Sequence, residues 1–185
     1  DYTVKAISLE GGSPSLLEAG DLQNILRSIR RHFDLDDAVQ ISLQTMPGDY
    51  SRALMEKMRD SGVNHWIVGL ETADRQEHAL LRRPYKFDAL TMVDAALRTF
   101  NPRALSFDLL YGIPGQSLSS WKHTLETALA YQPDHLSVIP LLLKRNSALY
   151  TDCALGLIPP QSQVLMSQIA EYTSQRLSAL GFYSC

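Results

Sequence analysis

Val4-Lys5-Ala6-Ile7-Ser8-Leu9 runs into Glu10-Gly11-Gly12-Ser13-Pro14-Ser15, and further along Ala104-Leu105-Ser106-Phe107-Asp108-Leu109-Leu110 runs into Tyr111-Gly112-Ile113-Pro114-Gly115-Gln116. Each apolar run has the length and composition of a strand, and each ends in a loop punctuated by glycine and proline. Residues 39–43, 65–70 and 135–139 are further short apolar segments bounded by turn residues, which makes five strands. Between them, Leu22, Ile25, Leu26, Ile29 and Phe33 fall at helical spacing behind Asp21 as a cap, and Leu54, Met55 and Met58 do so before Gly62. Asp88 is placed to cap a helix carrying Leu90, Val93, Ala96 and Leu97, and Ser119 one carrying Trp121, Leu125, Ala128 and Leu129. A long polar loop after residue 139 passes through Lys144-Arg145-Asn146-Ser147 and Pro159-Pro160, and a final helix is expected over about residues 161–180. Strictly alternating strands and helices predict right-handed βαβ units around a parallel sheet, with ligands bound at the carboxyl ends of the strands. No linker divides residues 1–185, so a single domain is expected.

The bulk properties narrow the partners. A net charge of -3 with only Arg30-Arg31 and Arg82-Arg83 as adjacent basic pairs gives no electrostatic case for nucleic acid or an anionic membrane surface. No apolar run approaches the roughly 20 residues that span a bilayer, and a cytoplasmic location is expected. Cys153 and Cys185 are too few for a disulfide framework. No Cys-x-x-Cys or paired-His spacing occurs, so no metal site is expected from this chain. The start at Asp1 without methionine and the stop at Cys185 are read as those of a piece of a longer protein.

Several residues could carry chemistry. Gly11-Gly12 lets backbone approach a ligand closely, although a tight turn would also use it, and Ser15 with Glu18 fits a capping box that needs no ligand. Asp108 lies inside an apolar strand, where an ionised carboxylate is costly unless a partner or ligand satisfies it. A period of two puts it on one face with Ser106 and Leu110, toward a barrel interior. Glu71 ends the third strand and Gln44 sits in the run after the second. Arg83, one helix further on, could neutralise Glu71 or grip a carboxylate. His32, His65, His78 and His135 have no matched spacing and none is assigned a catalytic role.

Together these stretches resemble the radical S-adenosylmethionine proteins related to oxygen-independent coproporphyrinogen III oxidase. The resemblance is carried by Glu10-Gly11-Gly12-Ser13-Pro14-Ser15-Leu16-Leu17, Ile41-Ser42-Leu43-Gln44-Thr45-Met46-Pro47, Gly62-Val63-Asn64 with Val68-Gly69-Leu70-Glu71, and Leu81-Arg82-Arg83. It continues through Phe107 to Gln116 and through Pro133-Asp134-His135-Leu136-Ser137. It implies an α/β fold of the partial TIM-type (β/α) barrel kind, parallel strands with outer helices, the radical SAM core. It also implies S-adenosylmethionine as cofactor, bound by Gly11, Gly12, Ser13, Gln44, Glu71, Arg83, Asp108 and Leu142. The family carries Glu where this chain has Gln44 and Gln where it has Glu71, so amide and acid are exchanged. The family's cluster-binding Cys-x-x-x-Cys-x-x-Cys loop is absent and would precede Asp1 together with the first strand.

What the resemblance implies about activity is a HemN-like enzyme in which a [4Fe-4S] cluster, with ligands outside this chain, cleaves S-adenosylmethionine to a 5'-deoxyadenosyl radical. An electron donor and a small-molecule substrate, a tetrapyrrole for the oxidase branch, are the expected partners. A methyltransferase using a second S-adenosylmethionine and a haem-binding chaperone of the same fold are the alternatives. A further reading is a barrel-like domain that binds some other phosphate or nucleotide.

Overall fold

The computed structural model describes residues 2–145, 147–160 and 162–184; the readings that touch Asp1, Asn146, Gln161 and Cys185 lie outside the described residues. Five strands form, β1 (Thr3–Leu9), β2 (Asp34–Thr45), β3 (His65–Glu71), β4 (Ala104–Tyr111) and β5 (His135–Pro140). The helices are α1 (Ala19–His32), α2 (Arg52–Ser61), α3 (Arg75–Leu81), α4 (Leu90–Phe100), α5 (Leu118–Leu129), α6 (Ala148–Ala154) and α7 (Gln163–Ala179). The strands are parallel and lie in one sheet in chain order, β1-β2-β3-β4-β5, as the alternating pattern predicts.

Register is set by named contacts. β1 pairs with β2 through Ala6↔Gln40 to Leu9↔Leu43, after a slip between Val4 and Ala6 where β2 carries extra residues. β2 pairs with β3 from Ser42↔His65 to Thr45↔Val68. Asn64, just ahead of β3, imitates a strand residue with its side chain: Oδ1 accepts from the Ile41 amide at 2.8 Å and Nδ2 donates to Val39 O at 3.0 Å. Its backbone N–H donates to Ile41 O at 3.1 Å and its carbonyl accepts from the Ala104 amide at 3.1 Å.

Contacts divide the chain into two compact units, one holding the residues up to Gly69 with Tyr85–Ser106, the other Leu70–Pro84 with the residues from Phe107 onward. In the first, Leu22 and Leu26 of α1, Met58 of α2, Ile41 and Leu43 of β2, Val68 of β3 and Val93 of α4 are buried. Each large apolar side chain so removed from water contributes on the order of 1.5–3 kcal/mol before chain entropy is counted. The Tyr50 and Trp66 rings add a tilted contact at 5.6 Å. Beside this apolar core sits a polar group, with His65 Nδ1 2.7 Å from both Ser42 Oγ and Gln40 Nε2, and His65 Nε2 2.6 Å from Ser106 Oγ. In the second unit, Phe107 and Leu109 of β4, Trp121 and Leu125 of α5 and Ile169 of α7 are buried, and Trp121 Nε1 donates to Thr173 Oγ1 at 2.8 Å.

Local capping differs from the sequence reading in four places. Asp21 lies within the first turn of α1 and the cap position falls on Glu18, whose side chain makes no capping bond. The expected Ser15–Glu18 capping box does not form, because Ser15 Oγ donates to Asp49 instead. Asp88 sits in a short 3-10 turn, Phe87–Ala89, and the cap of α4 is Ala89. Ser117, not Ser119, caps α5, accepting from the Ser120 amide at 3.0 Å. The polar loop after β5 also contains α6, capped by Ser147. The last helix starts at Gln163 behind Ser162.

Gly48 provides a test of packing in the first unit. A Cβ built there would lie 2.3 Å from Tyr85 Cβ, with no flexible side-chain end to give way. Gly48→Ala is expected to lower unfolding free energy by about 1–3 kcal/mol in urea titration. Gly20→Ala in the first turn of α1, where a Cβ meets nothing within 4 Å, is expected to be neutral or slightly stabilising.

Candidate functional site

In the first unit the loop from β1 to α1 places Gly11 at φ +78° and Gly12 at φ +60°, both exposed. Two successive left-handed residues are cheap only for glycine. A Cβ at either position would meet nothing within 4 Å, so the space over this backbone is open to a ligand. Gln44, inside β2 and not after it as the sequence reading had it, accepts the Gly11 N–H at 3.3 Å through Oε1. Ser13 is exposed and begins the 3-10 turn Pro14–Leu16, its carbonyl accepting the Leu16 amide at 2.9 Å.

In the second unit Glu71 ends β3 at φ 60°, in a three-residue turn closed by the Thr72 amide on Leu70 O at 2.7 Å. A non-glycine residue held there costs on the order of 1–2 kcal/mol, and such strain is characteristic of functional positions. The Glu71 carboxylate is buried and takes two bonds from Arg83, one from Nε at 2.5 Å and one from Nη2. Arg83 therefore neutralises Glu71 through Nε and one face of its fork. Burial pushes the Glu71 carboxyl above the usual range; the Arg83 bond and charge pull it down, and the Asp108 charge adds to the rise. Asp108, half-buried in β4 between fully buried Phe107 and Leu109, thus belongs to the same electrostatic group. Leu142, two residues past β5, is exposed.

Sequence reasoning missed the residues that hold these loops. In the second unit the buried Glu77 accepts from Thr72 Oγ1 at 2.5 Å, Ser120 Oγ at 2.5 Å and Gln116 Nε2 at 3.1 Å. Gln116 Oε1 in turn accepts the Gly112 amide at 2.8 Å, so the loops after β3 and β4 are tied to one carboxylate. In the first unit Asp49 and Lys57 hold the stretch after Gly12. The one signal for Glu77 in the sequence is a charged residue early in α3, which solvated helices also show. Among the described residues no group of three or more His, Cys, Asp and Glu is placed to hold a metal.

Parallel strands, each followed by a helix, define an α/β protein of the (β/α)-barrel type. The chain belongs to the Radical SAM superfamily, whose sequence profile matches residues 1–128. It is 30% identical over 141 residues to the oxygen-independent coproporphyrinogen III oxidase of Pseudomonas aeruginosa, covering 75% of this chain and 30% of that protein. It is 26% identical over 148 residues to the heme chaperone HemW of Buchnera aphidicola, covering 80% of this chain and 39% of that one. The coproporphyrinogen III oxidase (HemN) of Escherichia coli shares its fold, with a TM-score of 0.81 at 21% identity over 98% of this chain and 42% of that chain. The chain thus spans well under half the length of these relatives. The superfamily's cofactors are S-adenosylmethionine and a [4Fe-4S] cluster, and the unobstructed backbone at Gly11 and Gly12 leaves room for a bound group.

Removing the guanidinium isolates the Glu71 carboxylate. Arg83→Met is expected to cost about 1–2 kcal/mol near neutral pH, less than a fully buried pair would because Arg83 is a third exposed. A carboxyl whose folded pKa is raised is best tolerated below its unfolded pKa and loses that contribution as pH rises through the folded value. The deficit of Arg83→Met should therefore shrink as pH falls toward about 4 and be largest above the raised Glu71 value, as urea titration across that window would record.

Proposed function

We propose that the chain is the S-adenosylmethionine-binding core of a HemN-like radical SAM protein, the central part of its barrel as one domain, working in the cytoplasm on a tetrapyrrole. The observation that carries this reading is the pair of left-handed, unobstructed glycines at the end of β1. In the first unit, the amides of Gly12 and Ser13 suit a carboxylate, Gly11 contributes open backbone while its own N–H donates to Gln44, and Gln44 suits the neighbouring polar atoms. In the second, Asp108 and Glu71 suit an ammonium or hydroxyl groups, the remaining N–H groups of Arg83 suit an anion, and Leu142 offers an apolar contact. When bound, S-adenosylmethionine with the cluster supplies a radical by reductive cleavage, the electron coming from an external donor. The chain's own work is to orient the cofactor and exclude water.

A haem-binding chaperone is the second reading, favoured by the likeness to HemW. Haem titration of the full-length protein separates the two: tight stoichiometric binding without turnover of a porphyrinogen supports the carrier, and turnover supports the oxidase.

Gly12→Val inserts a branched side chain into the open space over the loop and strains φ +60°. In full-length, cluster-reconstituted protein its S-adenosylmethionine affinity by calorimetry is expected to fall at least about tenfold, or about 1.4 kcal/mol. Undiminished affinity in a folded variant would remove the loop from the site.

A further inference from the structure

The loop between β1 and α1 is held unevenly. Around Gly11 and Gly12 it has open space and a long 3.3 Å bond to Gln44. A few residues on, the contacts are short. Ser15 is only 5% exposed, and its Oγ donates to Asp49 Oδ2 at 2.6 Å. Lys57, reaching from α2, donates from Nζ to Ser15 O and to Leu17 O, each at 2.6 Å. Asp49 is itself fixed by the Met46 amide, which donates to the same Oδ2 at 2.8 Å.

A surface lysine ordinarily keeps its ammonium in water. Here the ammonium has surrendered part of its hydration, which lowers its pKa against the favourable charges of Glu18 and Asp49, and spends two donors on main-chain carbonyls. Both carbonyls belong to the turn that follows directly on Gly11, Gly12 and Ser13. Fixing Ser15 and Leu17 fixes the course of the chain entering α1, and with it the direction in which the preceding amides point.

We propose that Lys57, with Asp49, is a positioning residue for the glycine loop, holding its amides ready for the carboxylate of an amino-acid-bearing ligand. This rests on the reading that the loop receives the methionine end of S-adenosylmethionine. Lys57 acts through the loop and not by touching the ligand. Its contribution is the ordering cost that the loop no longer has to meet on binding.

The test uses full-length, cluster-reconstituted protein carrying Lys57→Met, Lys57→Arg or Ser15→Ala, with S-adenosylmethionine affinity by calorimetry and amide hydrogen exchange read in parallel. Lys57→Met keeps the stem and removes both donors. It is expected to bind about tenfold more weakly, with faster exchange confined to the segment from Gly11 to Leu17. Lys57→Arg, whose fork can serve two carbonyls, is expected to recover affinity to within about threefold of wild type. Wild-type affinity in Lys57→Met overturns the proposal. So does a loss that arginine does not rescue and that comes with faster exchange throughout α2 and β2, because that marks a general structural role. Should Lys57→Met fail to fold, Ser15→Ala carries the test, with about threefold weaker binding and a faster loop expected and wild-type behaviour in both overturning it. If wild-type protein binds no S-adenosylmethionine, the cofactor reading fails, and the clamp is then judged by exchange of the ligand-free loop alone: faster exchange in Lys57→Met supports it and unchanged exchange overturns it.

Discussion

The first unit depends on one side chain standing in for backbone. Asn64 precedes β3 and uses its carboxamide to meet the Ile41 amide and the Val39 carbonyl of β2, while its own carbonyl receives the Ala104 amide at the start of β4. A parallel strand pair can slip by one residue only by exchanging its buried and exposed faces, so a contact that fixes alignment at the strand entrance decides every side-chain direction beyond it. The next residue, His65, is thereby set opposite Ser42 and joins it in a buried polar group with Gln40 and Ser106. On the other edge of β2 the β1–β2 register sets Leu9 opposite Leu43, and beyond that pair Gly11 and Gln44 come within hydrogen-bonding reach. The geometry of the glycine loop is in this sense inherited from the register.

The exchange of amide and acid that the family resemblance implies has a local meaning at each position. At position 71 a carboxylate, unlike an amide, can take both arms of the Arg83 fork as a charged pair. The pairing offsets part of the desolvation that the strained, buried turn imposes on Glu71. At position 44 the amide accepts from Gly11 just as a carboxylate would, yet it also carries donors, which a carboxylate lacks. A glutamine there can address acceptor atoms on a ligand. A glutamate can address donors alone.

Strand positions were legible because each is a short apolar run bounded by turn residues, and β1, β3, β4 and β5 differ from their sequence reading by one residue at most at either end. The exception is β2, whose first part, residues 34–38, carries Asp34, Asp36 and Asp37 and so offers no apolar run to read. Caps were less legible. Ser117, Ser119 and Ser120 are chemically equivalent candidates, and only the backbone angles that place Ser117 at φ -115° and ψ 161° outside the helix choose among them. Ser15 illustrates the commoner failure, in which a local rule loses to a long-range partner: Asp49 lies 34 positions away and takes the hydroxyl that the capping box would have used. Of the candidate site residues, Gly11 with Gln44 and Glu71 with Arg83 are brought into contact, while Lys57 and Glu77 did not stand out because their partners are main-chain carbonyls for the one and neutral hydroxyls and a carboxamide for the other, which no spacing reveals.

Those two missed residues express one constraint met separately in each unit. A polar loop at a strand end buries little apolar surface at its tip, so it forfeits the packing that orders most of a protein. Order has to be supplied from the base of the loop, where hydrogen bonds to a charged group are stronger than neutral ones. In the first unit that group is the Lys57 ammonium on two carbonyls. In the second it is the Glu77 carboxylate on Thr72, Gln116 and Ser120, with Gln116 carrying the connection on to Gly112. In both cases the anchoring side chain projects from a helix, whose rigid backbone limits how far the charge can follow a moving loop. In the first unit the tip at Gly11 and Gly12 stays open because its stability is lodged elsewhere.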